Sequence, residues 1–321
     1  MDHLAADTQF ALTVHERREV TADIVVLGLR AADEGPLPEW EPGAHADFLI
    51  PGGVTRQYSL CGDPADRMTW RIAVLREENG RGGSRYIHEE IREGGRILAR
   101  SPRNHFPLRP AAGYHFVAGG IGITPLLPMM AQATRDGVDW QLTYGGRSRQ
   151  SMAFADELGQ TYPGKVTYHP QDVCGLIDLD GLLARLSSGT DIYACGPGPL
   201  LDALAQRTAA CPEQLHVERF APVEPANPSE NRAFDIELAS SGRVLSVSPQ
   251  ESILDVLLDN DVYVDSSCEE GTCGSCETRV LAGDVEHRDA VLSAAEREKG
   301  ESLMVCVSRA AATCPRLVLE L

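Results

Sequence analysis

The chain has 321 residues, 43% hydrophobic and 24% charged, a composition ordinary for a globular protein of two or three domains. Its net charge of −18 would repel nucleic acid and an anionic membrane surface. No apolar run is long enough for a transmembrane helix, and the opening MDHLAADTQF lacks the basic and apolar stretches of a signal peptide. A cytoplasmic setting is therefore expected, in which the nine cysteines point to metal binding or reactivity rather than cross-links.

In the first hundred residues, FALTVHERREV, DIVVLGLRAA, ADFLIPGG, RQYSLCGD and TWRIAVLREE alternate apolar and polar positions between Gly, Pro and Asp turn signals. They predict short antiparallel strands. SRYIHEEIREGG predicts one helix with Ser84 as its N-cap. The pattern is that of an antiparallel β-barrel carrying one helix. RQYSL, Arg56 to Leu60, ends a strand. Downstream, Gly82 and Gly83 precede Ser84 at the helix start, where free N–H groups and the helix dipole favour a phosphate. Arg56 or Arg81 could add a charge-assisted bond to it. A plain capped helix fits the same letters.

From about Pro110 the rhythm changes. YHFVAGG reads as a buried strand, and ITPLLPMMAQATRDG as a helix with Thr124 as N-cap, Pro125 first and Gly137 at its end. Strand WQLTYGG, helix MAFADELGQ, strand KVTYHP, helix LDGLLARL, strand DIYACG, helix PLLDALAQRTA and strand LHVERF follow. This alternation predicts a parallel sheet with helices on both faces. AGGIGITP and ACGPGPL each follow a strand and open a helix. Glycines there let backbone approach a nucleotide at the carboxyl end of the sheet, although the simple G-x-G-x-x-G fingerprint is absent. Arg147 and Arg149, in YGGRSRQ, could bind a 2′-phosphate or be exposed loop charges.

APVEPANPSENR reads as an interdomain linker. Beyond it, FDIELASSGRVLSVSP predicts a hairpin, SILDVLLDN a helix, and ETRVLAGDVEH, VCVSRA and RLVLEL short strands. From Ala233 onward there are 17 acidic against 7 basic residues, a net of −10, which suits either plain solubility or a basic partner surface. Within this segment Cys268, Cys273 and Cys276 are separated by four and two residues, and Cys306 follows after 29 more. Structural zinc usually takes two close ligand pairs, whereas this spacing matches a plant-type [2Fe–2S] site. Gly271 and Gly274 let the loop wrap a bulky cluster. Cys314, before Pro315, reads as an ordinary thiol.

Taken together, R-x-Y-S-L, G-G-I-G-I-T-P, C-G-P, SCEEGTCGSCETRVLAGDVEHRD and MVCVSRA make the chain resemble the phthalate dioxygenase reductase and vanillate demethylase reductase family over essentially its whole length. The resemblance implies a multidomain fold. A flavin-binding antiparallel β-barrel would span residues 1–109 and a ferredoxin-reductase-like α/β domain 110–222. A linker would occupy 223–233, and an α+β, β-grasp [2Fe–2S] ferredoxin domain 234–321. It implies that Arg56, Tyr58, Ser59 and Leu60 hold the flavin, with Ser59 near its N5 edge, and that Gly83 and Ser84 take its phosphate, with Arg81 a further candidate. Gly120, Gly122, Thr124 and Pro125 would shape the nucleotide site, Cys195, Gly196 and Pro197 would lie by the nicotinamide, and Phe220 would pack on the flavin ring. Cys268, Cys273, Cys276 and Cys306 would hold the cluster.

The implied cofactors are FMN rather than FAD, NADH rather than NADPH, and [2Fe–2S]. The implied activity passes electrons from NADH to FMN, to the cluster, to a separate Rieske-type oxygenase acting on an aromatic or similar acid, with the reductase a monomer. A haem-thiolate monooxygenase could take the same electrons. From a different class, the cysteines could belong to a zinc-stabilised binding module without redox activity.

Overall fold

A computed structural model describes residues 9–78, 80–223 and 231–321. Most of the expected linker lies outside the described residues. The chain divides after Glu218 into two compact units.

The first unit begins with strands β1 (Gln9–Thr21), β2 (Ile24–Ala31), β3 (His45–Ile50), β4 (Val54–Ser59), β5 (Trp70–Leu75) and β6 (Arg96–Arg100). They form one antiparallel sheet in the order β4-β3-β6-β1-β2-β5. The sheet closes on itself just past β4, where Cys61 N donates to Arg71 O at 2.8 Å. Alternation along the strands turns Leu12, Leu27, Phe48, Trp70 and Ile72 inward, and Ile87 of helix α1 (Gly83–Glu90) joins them. Ser84 is not the N-cap of α1. Gly82 is, in the left-handed region at φ 87, and the buried Ser84 hydroxyl accepts the Glu77 N–H at 3.1 Å instead. A glycine meets that backbone requirement without a Cβ penalty.

The same unit continues with β7 (Gly113–Gly119), α2 (Leu126–Arg135), β8 (Asp139–Gly146), α3 (Ala155–Thr161), β9 (Val166–Pro170), α4 (Gln171–Cys174), α5 (Leu179–Leu183), β10 (Thr190–Cys195), α6 (Gly198–Arg207) and β11 (Leu215–Glu218). The strands are parallel, in the order β11-β10-β7-β8-β9. β7 is apolar apart from His115, because both faces are covered. Phe116 packs with Leu126 and Met130 of α2, and its neighbour Val117 with Leu201 and Leu204 of α6. Ile24, Val26 and Ala73 of the antiparallel sheet share the first of these cores, so the two sheets are held together by apolar packing. The expected start of α2 is corrected. A 3₁₀ turn over Gly120–Ile123 precedes it, Pro125 is the N-cap, and buried Thr124 Oγ1 donates to Ile121 O at 3.0 Å.

The second unit contains β12 (Phe234–Leu238), β13 (Arg243–Val247), α7 (Ile253–Asp259), β14 (Glu277–Ala282), β15 (Val285–Glu286), α8 (Ala294–Lys299), β16 (Ser302–Met304), β17 (Arg309–Ala310) and β18 (Arg316–Leu319). The main sheet runs β13-β12-β18-β14-β16, with β12 and β13 a hairpin and β18 parallel to β12. Helix α7, opened by a Ser252–Asp255 capping box, buries Ile253, Leu254, Val256 and Leu257 in the unit's core. This is the α+β, β-grasp arrangement expected. VCVSRA is not a strand, however. Val305–Ser308 form a turn closed by Ser308 N donating to Met304 O at 2.9 Å, flanked by β16 and β17. No helix among the described residues is long and apolar enough to cross a membrane.

Candidate functional site

Three sites emerge, two in the first unit and one in the second. Strand β4 delivers Arg56, Tyr58 and Ser59. The Ser59 and Tyr58 hydroxyls are both buried and have no hydrogen-bond partner among the described residues. A buried hydroxyl without a partner is costly, and the cost is relieved when a ligand supplies one. Burial holds the Tyr58 phenol well above its usual range, so it remains a neutral donor. Arg56 lies across the N-terminus of α1, where a Cβ on Gly83 would stand 2.7 Å from Arg56 Cγ and 3.0 Å from its Nε. Glycine is thus required for the arginine stem to cover the open helix end. Arg56 Nη1 donates to Thr55 O at 2.8 Å, and a guanidinium beside a helix N-terminus is chemistry that suits a phosphate. Leu60 is fully buried, and Arg81 is exposed beside Gly82. These features fit FMN.

The second site lies at the carboxyl ends of β7 and β10, which are adjacent, with Cys195 opposite Ala118. The two glycine turns touch. A Cβ on Gly119 would stand 2.5 Å from Pro197 Cδ, and one on Gly196 would stand 2.9 Å from Gly119 Cα. Gly120, at φ 56, faces open space. A glycine-lined shelf at the end of a parallel sheet is where a dinucleotide docks. Cys195 is fully buried, and burial, with Glu218 as a lesser cause, pushes its thiol well above its ordinary range. It is therefore a neutral, packed thiol rather than a nucleophile.

Glu218 was missed in the sequence. It stands opposite Cys195 in the β10–β11 register, its Oε2 has no partner among the described residues, and burial pushes its carboxyl up to about 8. The signal was its place in VERF, two residues before Phe220. Phe220 falls past the division, in the second unit, and is 45% exposed. Arg149 is engaged: its guanidinium lies 4.0 Å from the Tyr168 ring centroid and 2.8 Å from Asp156 Oδ1.

In the second unit the turn at Val305–Ser308 brings Cys306 to the loop carrying Cys268, Cys273 and Cys276, and all four are buried. Cys276 Sγ and Cys306 Sγ lie 3.2 Å apart, while Cys268 contacts both Cys273 and Cys306. Contact with Cys273 pulls the Cys268 thiol down, and contact with Cys268 pushes Cys306 up. The Glu270 and Thr272 N–H groups donate to Cys268 Sγ, each at 3.4 Å. Gly271 and Gly274 take φ of 70 and 74, turning the loop around the sulfurs. Four converging sulfurs with backbone N–H donors fit an iron–sulfur cluster. Cys314 stands apart, accepting from Asp284 N and donating to Arg316 O.

A barrel that cradles a flavin, a nucleotide shelf and a cysteine quartet define an iron–sulfur flavoprotein oxidoreductase. The comparisons agree with that class. The family model for the 2Fe-2S iron-sulfur cluster binding domain matches residues 236–311, and that for the oxidoreductase NAD-binding domain matches 116–206. The phthalate 4,5-dioxygenase oxygenase reductase subunit of Pseudomonas putida is 42% identical, with 93% of each chain covered. The solved structure of phthalate dioxygenase reductase superposes with a TM-score of 0.71 at 37% identity, covering 98% of each chain. An intact type IV self-sufficient cytochrome P450 monooxygenase superposes with a TM-score of 0.89 at 44% identity. It covers 98% of this chain, which spans 41% of that longer one. The chain belongs to the phthalate dioxygenase reductase family. It is an oxidoreductase with an NAD-binding domain and a 2Fe-2S cluster binding domain.

Proposed function

We propose that the chain is the NADH-dependent reductase of a two-component oxygenase, delivering electrons to a separate Rieske-type non-haem iron enzyme that oxygenates or demethylates an aromatic acid. The observation that carries this reading is a buried cysteine quartet in the same chain as a flavin cradle and a nucleotide shelf. When bound, FMN and the cluster convert the two-electron reducing power of a nicotinamide into single-electron delivery. Arg56, Gly83 and Ser84 anchor the flavin phosphate, with Arg81 in reserve. Ser59 and Tyr58 offer it their unpartnered hydroxyls. Gly120, Gly122, Thr124 and Pro125 seat the nucleotide, and Cys195, Gly196 and Pro197 pack beside the nicotinamide. Cys268, Cys273, Cys276 and Cys306 are the cluster ligands. NADH is preferred over NADPH on the family resemblance; Arg149 contacts Tyr168 and Asp156, with its Nη1 left without a partner among the described residues. The proposed domains are 1–109, 110–222 and 234–321, in a cytoplasmic monomer.

The test is anaerobic addition of NADH to the purified protein, which should bleach its visible absorption, with about two irons per chain. Reconstitution with a Rieske oxygenase should then restore turnover, and kcat/KM should favour NADH over NADPH. A colourless protein holding one zinc would overturn this reading. The likeness to the P450 fusion supports a second reading, a haem-thiolate acceptor. Higher coupled turnover with such an oxygenase than with a Rieske enzyme would establish it.

A further inference from the structure

We propose that Asp289 is a positioning residue for the cluster loop, holding the turn at Gly271 so that the Glu270 and Thr272 N–H groups reach the Cys268 sulfur. The proposal rests on the reading of the cysteine quartet as cluster ligands. Asp289 lies in EHRD, a motif that the functional reading above leaves without a task.

Its side chain is fully buried, and Oδ2 accepts the N–H groups of Val291 at 3.0 Å and Leu292 at 2.8 Å. Those two bonds fold the segment so that Ala290 N donates to Gly271 O at 2.7 Å. The contact is close on the carbon side as well. A Cβ on Gly271 would stand 3.0 Å from Asp289 Cα and 2.6 Å from Val307 Cγ2. Arg297 secures the other side of the aspartate, its Nη2 donating to Asp289 O at 2.6 Å and lying 3.7 Å from Oδ2.

Gly271 is therefore clamped between Asp289–Ala290 and Val307. It is also the residue between the two amides that point at Cys268 Sγ. Hydrogen bonds to a ligating sulfur stabilise the more electron-rich, reduced state and so raise the reduction potential. Asp289 touches no sulfur in this arrangement. It acts through Ala290 and Gly271 on the donors that do.

Asp289→Ala and Asp289→Asn separate this role from a simple charge effect. Both remove the negative charge, which by itself raises the potential equally in each. Only asparagine keeps an acceptor oxygen for Val291 and Leu292. In the full-length protein carrying its cluster, a redox titration should place Asp289→Ala below Asp289→Asn. The expected difference is about a tenfold smaller reduced-to-oxidised ratio at fixed poise, about 59 mV for a one-electron couple. Equal potentials in the two variants would overturn the proposal. If the alanine variant does not retain iron, Asp289→Ser decides: its shorter acceptor should give a potential below that of asparagine, and equality would again overturn it. Wild-type protein without two irons per chain would instead remove the cysteine-quartet reading itself.

Discussion

Gly122 lies so close to Cys195 that a Cβ on it would stand 2.2 Å from the Cys195 carbonyl oxygen. The obstructing atom is backbone, so no side-chain rotation relieves it. Gly122→Ala must push the two turns apart, at about 1–3 kcal/mol of stability by the usual cost of overpacking. Because those turns form the nucleotide shelf, kcat/KM for NADH should fall while the flavin spectrum is retained. Thermal melting and stopped-flow flavin reduction check both effects, and a variant with unchanged hydride-transfer rate would detach this contact from nucleotide binding.

Ser59 should behave differently. Its hydroxyl has no partner among the described residues, so Ser59→Ala forfeits no hydrogen bond there. Removing a buried hydroxyl that lacks a partner should leave the flavin-free variant at least as stable as the parent, by up to about 1 kcal/mol. With FMN bound, loss of one neutral hydrogen bond should weaken affinity by about 1 kcal/mol, roughly fivefold. Fluorescence titration of the stripped protein measures this, and equal affinities would show that the hydroxyl is not directed at the flavin.

The quartet divides the cysteines of the C-terminal unit cleanly. Cys306→Ser should abolish stable iron retention while leaving NADH-driven flavin reduction intact, because the two chemistries use different units. Cys314→Ala removes a thiol that contacts only Asp284 and Arg316 in the hydrogen bonds described, and it should retain about two irons per chain. Iron loss from the Cys314 variant would exchange the roles of the two residues.

Glu218 predicts a dependence on pH. Burial raises its carboxyl from 4.5 to about 8, so between those values the folded chain holds a proton that the unfolded chain releases. This group's contribution to stability therefore falls as pH rises through that window and levels off above it. Relative to the parent, Glu218→Gln should be more stable at about pH 9 than at about pH 5, as read from urea unfolding at both. A difference independent of pH would show that the carboxyl titrates normally.

Much of this was legible in the sequence because it is local. The strands from Gln9 to Leu75 are bounded by turn signals, though β2 is buried over six successive residues, and β7 and β10 end in apolar stretches before glycine turns. The cysteine spacing carries its own geometry. What escaped depends on distant partners. β6 is only five residues long, and its Leu98 is exposed between buried Ile97 and Ala99. α8 has no buried residue and depends on its Ser293–Glu296 capping box and the left-handed Gly300. The apolar letters around Cys306 suggest a strand, yet they are buried because a turn must carry the cysteine inward. Glu218 on an edge strand looks solvated, and Asp289 looks like a loop acid. Only the packing around them gives either its character.

The apolar core of the C-terminal unit, from Phe234 through Leu319, is drawn wholly from that unit's own residues. A segment that closes its own interior can be carried between genes by recombination without any neighbour having to be repacked. The position of such a module along a chain is then not fixed by its packing. In the self-sufficient P450 chain an arrangement like this one occupies 41% of the length.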